Sequence, residues 1–163
     1  MPEKKADKKR YWLTFLFKDL PVGATFKPHV LHLTIITWFV TELTDEQVQE
    51  SFNQTFSGQK TFEINIGKQD EFKHNRKISV NLISSSPELA LLHQKGLNWF
   101  NQINARWAVK NPHIGDEFIP HFRRRQGHNF EEGDKLTISS LSLVSAYRRG
   151  DDLRTVSAKV VFR

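Results

Sequence analysis

Two places in the sequence pair a histidine with a second side chain that can bind a phosphate oxygen. His32 is followed two residues later by Thr34, and His121 is followed two residues later by Arg123. Alternate residues of a β-strand share a face, so each histidine and its partner point the same way, roughly 6–7 Å apart. An imidazole beside a hydroxyl or a guanidinium is suited to moving a proton at a bound phosphate.

Either histidine alone is more often a structural or surface residue than a catalyst. The pairing favours a functional site, because each half of the chain has one histidine with a phosphate-binding donor on its own face. We therefore take His32, Thr34, His121 and Arg123 as the candidate site residues. The sequence does not distinguish which histidine would act as the acid and which as the base.

Three aromatic side chains, Phe26, Trp38 and Tyr147, could stack on a nucleobase, because aromatic rings bind bases without sequence preference. Trp38 and Ile36 have the strand parity of His32, which predicts that they share its face. The alternative is that these rings belong to the core, as aromatic residues of apolar strands more often do.

The arginines after His121 have two interpretations. Arg124 and Arg125 could follow a nucleic-acid backbone, or they could simply keep the surface soluble. Seven histidines also raise the possibility of a metal site, but the sequence has no HExxH motif and no cysteine. His29 and His32 alone supply too few ligands, so we expect neither a metal nor another cofactor.

Composition limits the possible classes of protein. A chain of 163 residues with 38% hydrophobic and 26% charged residues is typical of one globular domain, or of two small lobes that share a core. The absence of cysteine excludes disulfides, thiolate zinc fingers and a cysteine nucleophile. No apolar run approaches the roughly 20 residues that span a bilayer. The net charge of +6 favours a polyanionic partner, of which nucleic acid is the commonest.

The first ten residues carry half of that charge, from five basic and two acidic side chains. A solvated, frayed terminus is the preferred interpretation, and an RNA-binding arm is the alternative. We therefore divide the chain into a flexible basic segment, residues 1–10, and a single domain, residues 11–163. Met1 is followed by charge rather than by an apolar segment, which predicts a cytoplasmic protein.

Hydrophobic periodicity predicts seven strands and two helices in the order β-β-α-β-β-α-β-β-β. A capping-box pattern starts the first helix at Thr44, and Ser86 followed by a proline starts the second, whose apolar spacing reaches Trp107. The apolar phase changes within residues 136–146, which predicts a bulge or bend near Ser139 and Ser140. The order is that of an α+β protein with mostly antiparallel pairing and two similar lobes.

The paired motifs and the element order resemble the 2H phosphoesterase superfamily, which includes the 2′-5′ RNA ligase-like and cyclic phosphodiesterase proteins. That family is defined by two His-x-Thr/Ser motifs, one in each lobe of a bilobal α+β fold. The segment VLHLTII matches the first motif, and DEFIPHFRRR matches the second in position and context. The likeness extends from Tyr11 to Phe162. Arg123 departs from it, because the family has threonine or serine there.

The resemblance implies two antiparallel sheets with helices outside and a central cleft. It implies metal-free chemistry in which His121 activates water, His32 protonates the departing oxygen, and Thr34 and Arg123 stabilise the phosphoryl oxygens. The expected function is a phosphodiesterase acting on a 2′,3′-cyclic phosphate or a 2′-5′ linkage of RNA or a nucleotide, for which a monomer suffices. Arg123 leaves open a catalytically degenerate RNA- or nucleotide-binding module. A general interaction protein with structural histidines is a third possibility.

Overall fold

The structure is a computed structural model that describes residues 9–73, 77–125, 127, 129–147 and 153–163. Most of the basic segment 1–10 lies outside these residues. So does the turn that Gly150 and the two aspartates after it predict at residues 149–152. The described elements, in chain order, are β1 (Arg10–Leu16), β2 (Thr25–Phe26), β3 (His32–Val40), α1 (Asp45–Phe56), β4 (Phe62–Lys73), β5 (Lys77–Ile83), α2 (Pro87–Gln102), β6 (Arg106–Trp107), a 3₁₀ turn (Gly115–Glu117), β7 (His121–Arg123), β8 (Lys135–Ile138), β9 (Ser140–Ala146) and β10 (Arg154–Val161).

The strands form two sheets. One has the order β2-β10-β9-β1-β3-β6, and the other has the order β7-β5-β4-β8. Every strand pair among the described residues is antiparallel. The α+β class and the two antiparallel sheets expected from the sequence are therefore confirmed.

The predicted strand at residues 136–146 is wrong, because the chain changes sheets there. β8 pairs with β4 in the four-stranded sheet, whereas β9 pairs with β1 and β10 in the six-stranded sheet. Ser139 lies between the two strands. The break in the apolar pattern falls where the sequence predicts it, but it marks a passage between sheets rather than a bulge within one strand.

The second predicted helix is too long. α2 ends at Gln102, and Asn104 adopts a left-handed conformation with φ of 51°, which a continuing helix does not allow. Trp107 instead lies on β6, opposite Phe39 of β3. Its ring stacks on Phe100 of α2 with centroids 4.0 Å apart, so the strand returns the side chain to the position that helical spacing predicts.

The predicted helix starts agree with the structure, because their signals are local. The Thr44 side chain accepts a hydrogen bond from the Gln47 backbone at 3.2 Å, and the Gln47 side chain accepts from the Thr44 backbone at 3.0 Å. Ser86 caps α2 by accepting from the Leu89 backbone at 3.1 Å. Both helices bury one apolar face in the main core.

Two extra residues in β3 decide which of its side chains face the core. Thr14 of β1 pairs with Thr34, but Leu13 pairs with Ile36. Between these two pairs β3 therefore has one residue more than β1. Such a bulge turns the following side chain to the opposite face. The prediction that Ile36 shares the face of His32 is therefore wrong: Ile36 is buried in the core.

The second bulge, between Ile36 and Phe39, restores the original phase. Trp38 consequently returns to the face of His32, and its ring lies 5.2 Å from that of Trp12. β3 thus carries its predicted site residues on one face while it contributes an additional side chain to the core.

The buried His93 of α2 joins β3 to the loop that leads into β7. Its Nδ1 lies 2.8 Å from the Ile35 carbonyl oxygen, and its Nε2 accepts a hydrogen bond from the Gly115 backbone at 3.1 Å. Its ring stacks on Phe118 at 3.8 Å. This arrangement requires a neutral imidazole with the proton on Nδ1, and burial lowers the pKa of His93 accordingly.

Candidate functional site

His32, the first residue of β3, is held by a backbone carbonyl and an aromatic ring. Its Nδ1 lies 2.9 Å from the carbonyl oxygen of Val30, two residues earlier. The Trp12 ring of β1 packs edge-on against the imidazole, with centroids 4.6 Å apart and an interplanar angle of 84°. In the neutral tautomer that donates from Nδ1, the lone pair of Nε2 is left for a substrate.

His121, the first residue of β7, is held in the same way. Its Nδ1 lies 2.7 Å from the carbonyl oxygen of Ile119, again two residues earlier. The Phe72 ring of β4 packs edge-on against it, with centroids 4.6 Å apart and an interplanar angle of 74°. Among the described residues, no hydrogen bond reaches Nε2 of either histidine.

The two histidines belong to different sheets, and the structure brings them together. β3 lies against β7, and the Phe17 and Phe122 rings, 4.9 Å apart, join the two sheets behind them. The positive charge on His121 acts on His32, as do those of Arg125 and Arg154. The site therefore lies between the two sheets, where the charge of one imidazole acts on the other.

Both imidazoles are disposed to be neutral. Burial, with smaller contributions from the positive charges of Arg154, Arg125 and His121, lowers the pKa of His32 to about 4. Burial also lowers the pKa of His121, and the charge of His113 contributes in the same direction. In each case the hydrogen bond to the backbone carbonyl opposes the shift.

Thr34 is oriented by a neighbouring indole. Trp12 Nε1 donates a hydrogen bond to Thr34 Oγ1 at 3.1 Å. A hydroxyl has one proton to donate and two lone pairs to accept, so this bond occupies one lone pair and leaves the proton for a ligand oxygen.

Arg123 lies on the face of His121, because Phe122 between them is only 2% exposed and faces the core. The Arg123 backbone pairs with Val80 of β5. Within the described part of the chain its guanidinium makes no hydrogen bond or ion pair. A partly buried guanidinium without an internal partner can bind an anionic ligand.

Arg125 reaches from the second lobe to the first. Its Nη2 donates to the Pro28 carbonyl oxygen at 3.0 Å, in the loop before β3, and its charge acts on His32. It therefore lies at the edge of the site. Arg124 points elsewhere, since its Nη1 donates to Gln69 Oε1 at 2.7 Å on the exposed side of the second sheet.

The three aromatic candidates are in different surroundings. Trp38 is partly buried beside Trp12, on the site face. Phe26 is 6% exposed within a second apolar cluster, so little of its ring is available for a base. That cluster is Trp12, Leu16, Phe26, Val144 and Val156.

Tyr147 does not lie with the histidines. It follows Ala146, which pairs with Arg10 at one end of β1, whereas His32 pairs with Leu16 at the other end. Six residues of strand correspond to about 20 Å. Tyr147 is 58% exposed, and the Lys9 ammonium group lies 5.6 Å from its ring centroid.

Sequence reasoning missed three residues at the site. Trp12 could have been found, because β1 is apolar on both faces and the second face needs its own cluster. Phe72 lies in the second half of β4, where the mostly polar residues after Ile66 do not predict a strand. Arg154, whose guanidinium lies 4.9 Å from the Trp12 ring centroid, gave no signal in the sequence.

No group of three or more histidine, cysteine, aspartate or glutamate side chains in the described ranges could hold a metal ion. None of the described helices has the length and apolar character needed to cross a membrane.

No protein-family model and no curated protein matches this sequence. Solved structures do match. E. coli LigT complexed with 3′-AMP superposes with a TM-score of 0.62 at 12% identity, over 96% of this chain and 99% of that one. A structure described as a phosphoesterase gives 0.56 at 13% identity, over 96% and 99%. TT0787 of Thermus thermophilus gives 0.59 at 14% identity, over 94% and 98%. The chain therefore has the LigT-like fold expected from its paired motifs.

Proposed function

We propose that this protein is a 2H phosphoesterase, a metal-independent phosphodiesterase that acts on a 2′,3′-cyclic phosphate or a 2′-5′ linkage of RNA or a nucleotide. The observation that carries the proposal is that His32 and His121 are held by the same two kinds of contact. Each imidazole lies against the backbone carbonyl two residues earlier, and each packs edge-on against an aromatic ring. This leaves two Nε2 atoms for opposite ends of one reacting phosphate.

The fold supports the substrate class. E. coli LigT, which has the same fold, has been solved in complex with 3′-AMP, NADP+, ATP and phosphate. The positive charges near His32 are also suited to a phosphate ligand. A nucleotide or the end of an RNA strand satisfies both observations.

In the proposed reaction one Nε2 takes a proton from water, or from a ribose hydroxyl, as the attacking oxygen bonds to phosphorus. The other imidazole gives its proton to the departing oxygen as that bond breaks. The resemblance gives His121 the first role and His32 the second. In the free protein burial lowers the pKa of both imidazoles, so each is neutral and could act as the base.

Bound substrate changes this balance. A phosphodiester carries a negative charge, and a nearby negative charge raises the pKa of an imidazole. Substrate binding would therefore allow one of the two histidines to hold the proton that an acid needs. Thr34 would donate a neutral hydrogen bond to one phosphoryl oxygen, and Arg123 would donate charged ones to another.

A second function, RNA or nucleotide binding without turnover, is favoured by Arg123. It stands where the family has a small hydroxyl residue, and its side chain is longer and charged. A guanidinium there would bind a phosphate tightly while holding it away from His121.

The deciding experiment measures ring opening of an RNA oligonucleotide that ends in a 2′,3′-cyclic phosphate, in the presence of EDTA. The wild type should open the ring, and the double variant His32→Ala/His121→Ala should bind the RNA without opening it. Replacement of the exposed His29 by alanine is the matched control and should leave turnover unchanged.

The other outcomes are equally informative. Salt-sensitive RNA binding by the wild type without ring opening would reject the enzyme and support the binding module. Absence of both turnover and nucleic-acid affinity would reject both functions and leave an interaction protein.

A further inference from the structure

We propose that Trp12 is a positioning residue that orients both members of the first motif, His32 and Thr34. The proposal rests on the proposed function of that motif. Trp12 is 2% exposed, so its indole is a fixed part of the fold rather than a platform for a ligand. It touches His32 with its ring and Thr34 with its N–H.

The hydrogen bond from the indole determines what the Thr34 hydroxyl can do. Thr14, which lies directly opposite Thr34 in the β1–β3 ladder, accepts no such bond from the described residues, and its hydroxyl donates to the Leu33 carbonyl at 2.9 Å. Thr34 instead accepts from Trp12 at 3.1 Å. One threonine thus uses its proton on the backbone, while the other keeps its proton for a ligand.

The second motif is consistent with this role. Phe72 takes the place of Trp12 against His121, at the same 4.6 Å between ring centroids, but it has no N–H. Arg123, which replaces the hydroxyl residue there, has only donors and could not accept a hydrogen bond. An indole occurs where the motif contains an acceptor, and a phenyl ring occurs where it contains none.

The surroundings of Trp12 fix the direction of its N–H. The Arg154 guanidinium lies 4.9 Å from the Trp12 ring centroid and 5.3 Å from that of Trp38. Buried residues of the second apolar cluster pack around the same ring. The indole is held on several sides, with its N–H directed at Thr34.

The test compares Trp12→Phe, Thr34→Val and the double variant. Trp12→Phe removes the donor and keeps an aromatic edge for His32, so kcat on the cyclic phosphate should fall by about 3–10-fold, with KM changed less than about two-fold. Thr34→Val should cause a loss of similar size. Trp12→Phe should cause no further loss when valine already replaces Thr34, because Trp12 acts through that hydroxyl.

A matched control is available in the helical core. Trp99 also donates an indole hydrogen bond to a hydroxyl, Ser51 Oγ, at 2.8 Å, and it is 1% exposed. Trp99→Phe removes the same kind of bond far from the histidines and should leave kcat within about two-fold. An equal loss of kcat in both tryptophan variants, or additive losses from Trp12→Phe and Thr34→Val, would overturn the proposal.

Two further measurements keep the test decisive. If the wild type does not turn over, the proposed function fails, and titration with inorganic phosphate decides the positioning role. Trp12→Phe should then weaken phosphate binding by the same factor as Thr34→Val, and unchanged binding would reject the role. If Trp12→Phe does not fold, site-specific replacement of Trp12 by benzothienylalanine removes the N–H at constant ring size, and the same loss is expected.

Discussion

β3 and β7 each begin with a histidine, but they belong to very different parts of their sheets. β3 has nine residues inside the six-stranded sheet, whereas β7 has three residues at the edge of the four-stranded sheet. The same carbonyl and aromatic contacts nevertheless hold both rings. A histidine can therefore be oriented by a few nearby groups, whatever the length of its strand.

The two positions differ in their electrostatics. His32 is affected by the positive charges of Arg154, Arg125 and His121, whereas His121 is affected by that of His113. The neighbouring phosphate-binding groups also differ, a neutral hydroxyl in one lobe and a guanidinium in the other. Two chemically identical imidazoles with unlike surroundings can take opposite roles in proton transfer.

Single replacements of the two histidines give the largest expected effect. His32→Ala and His121→Ala should each reduce turnover of the cyclic phosphate by at least about 100-fold if both transfer protons. A phosphodiester with a p-nitrophenolate leaving group needs no acid, so the variant that lacks the acid should recover most on that substrate. Equal recovery of both variants would contradict the assignment of distinct roles.

The lowered pKa of His32 predicts a loss of stability in acid. Its pKa is about 4 in the folded protein and 6.5 ordinarily. Between about pH 6.5 and 4, His32 is therefore protonated in the unfolded chain but neutral in the folded protein. The free energy of unfolding should fall as the pH drops from 7 towards 4, by at most about 3 kcal/mol from this group. Urea denaturation of the wild type and of His32→Asn at several pH values measures it.

The His32→Asn variant isolates this contribution. His93 and His121 also have lowered pKa values, so the variant should keep part of the acid sensitivity but show a shallower slope. Parallel curves for the two proteins would show that His32 is no harder to protonate in the folded state than in the unfolded one.

The difference between Thr34 and Arg123 predicts unequal effects of their removal. Charged hydrogen bonds contribute about 1.5–3 kcal/mol and neutral ones about 0.5–1.5 kcal/mol, so Arg123→Ala should reduce kcat/KM by roughly 10–100-fold and Thr34→Ala by roughly 3–10-fold. Measured at two salt concentrations, kcat/KM should depend more strongly on salt in the wild type than in Arg123→Ala.

Arg123→Thr sharpens the same comparison, because it gives both lobes a threonine. The enzyme proposal expects turnover to persist in this variant. If Arg123→Thr turns over the substrate and the wild type does not, the wild type is the RNA- or nucleotide-binding module without catalytic activity.

The smallest effect is expected at Tyr147. This exposed side chain lies about 20 Å along β1 from His32, so Tyr147→Ala should leave both kcat and KM within about two-fold of the wild type. Steady-state kinetics on the RNA substrate measures this, and a large rise in KM would mean that the bound strand extends to that end of the sheet.

Local signals in the sequence predict local structure well. The capping pattern at Thr44 sets the start of α1, and strand parity places His32 and Thr34 on one face. Features that depend on a distant partner are not predictable in this way. Ile36 turns inward because of the register with β1, and Trp107 pairs with β3 rather than extending α2.

The same limit applies to the candidate site. Its histidines are visible in the sequence because their neighbours in the chain are also their neighbours in space. Trp12 and Phe72 are not, because each comes from a strand far from the motif that it supports. Tyr147 is a candidate on its chemistry alone, and the sheet order places it at the other end of β1.

The passage between sheets at Ser139 has a consequence for how the protein is made. β1 and β3 precede residue 41, but β9, which pairs along the other side of β1, begins at Ser140. At about 5–20 residues per second, a ribosome needs roughly 5–20 s to add the intervening hundred residues. During that time the edge of β1 that later pairs with β9 has no partner strand, and an unpaired edge strand is prone to aggregation. The newly made chain therefore exposes this strand edge until its last strands have been synthesised.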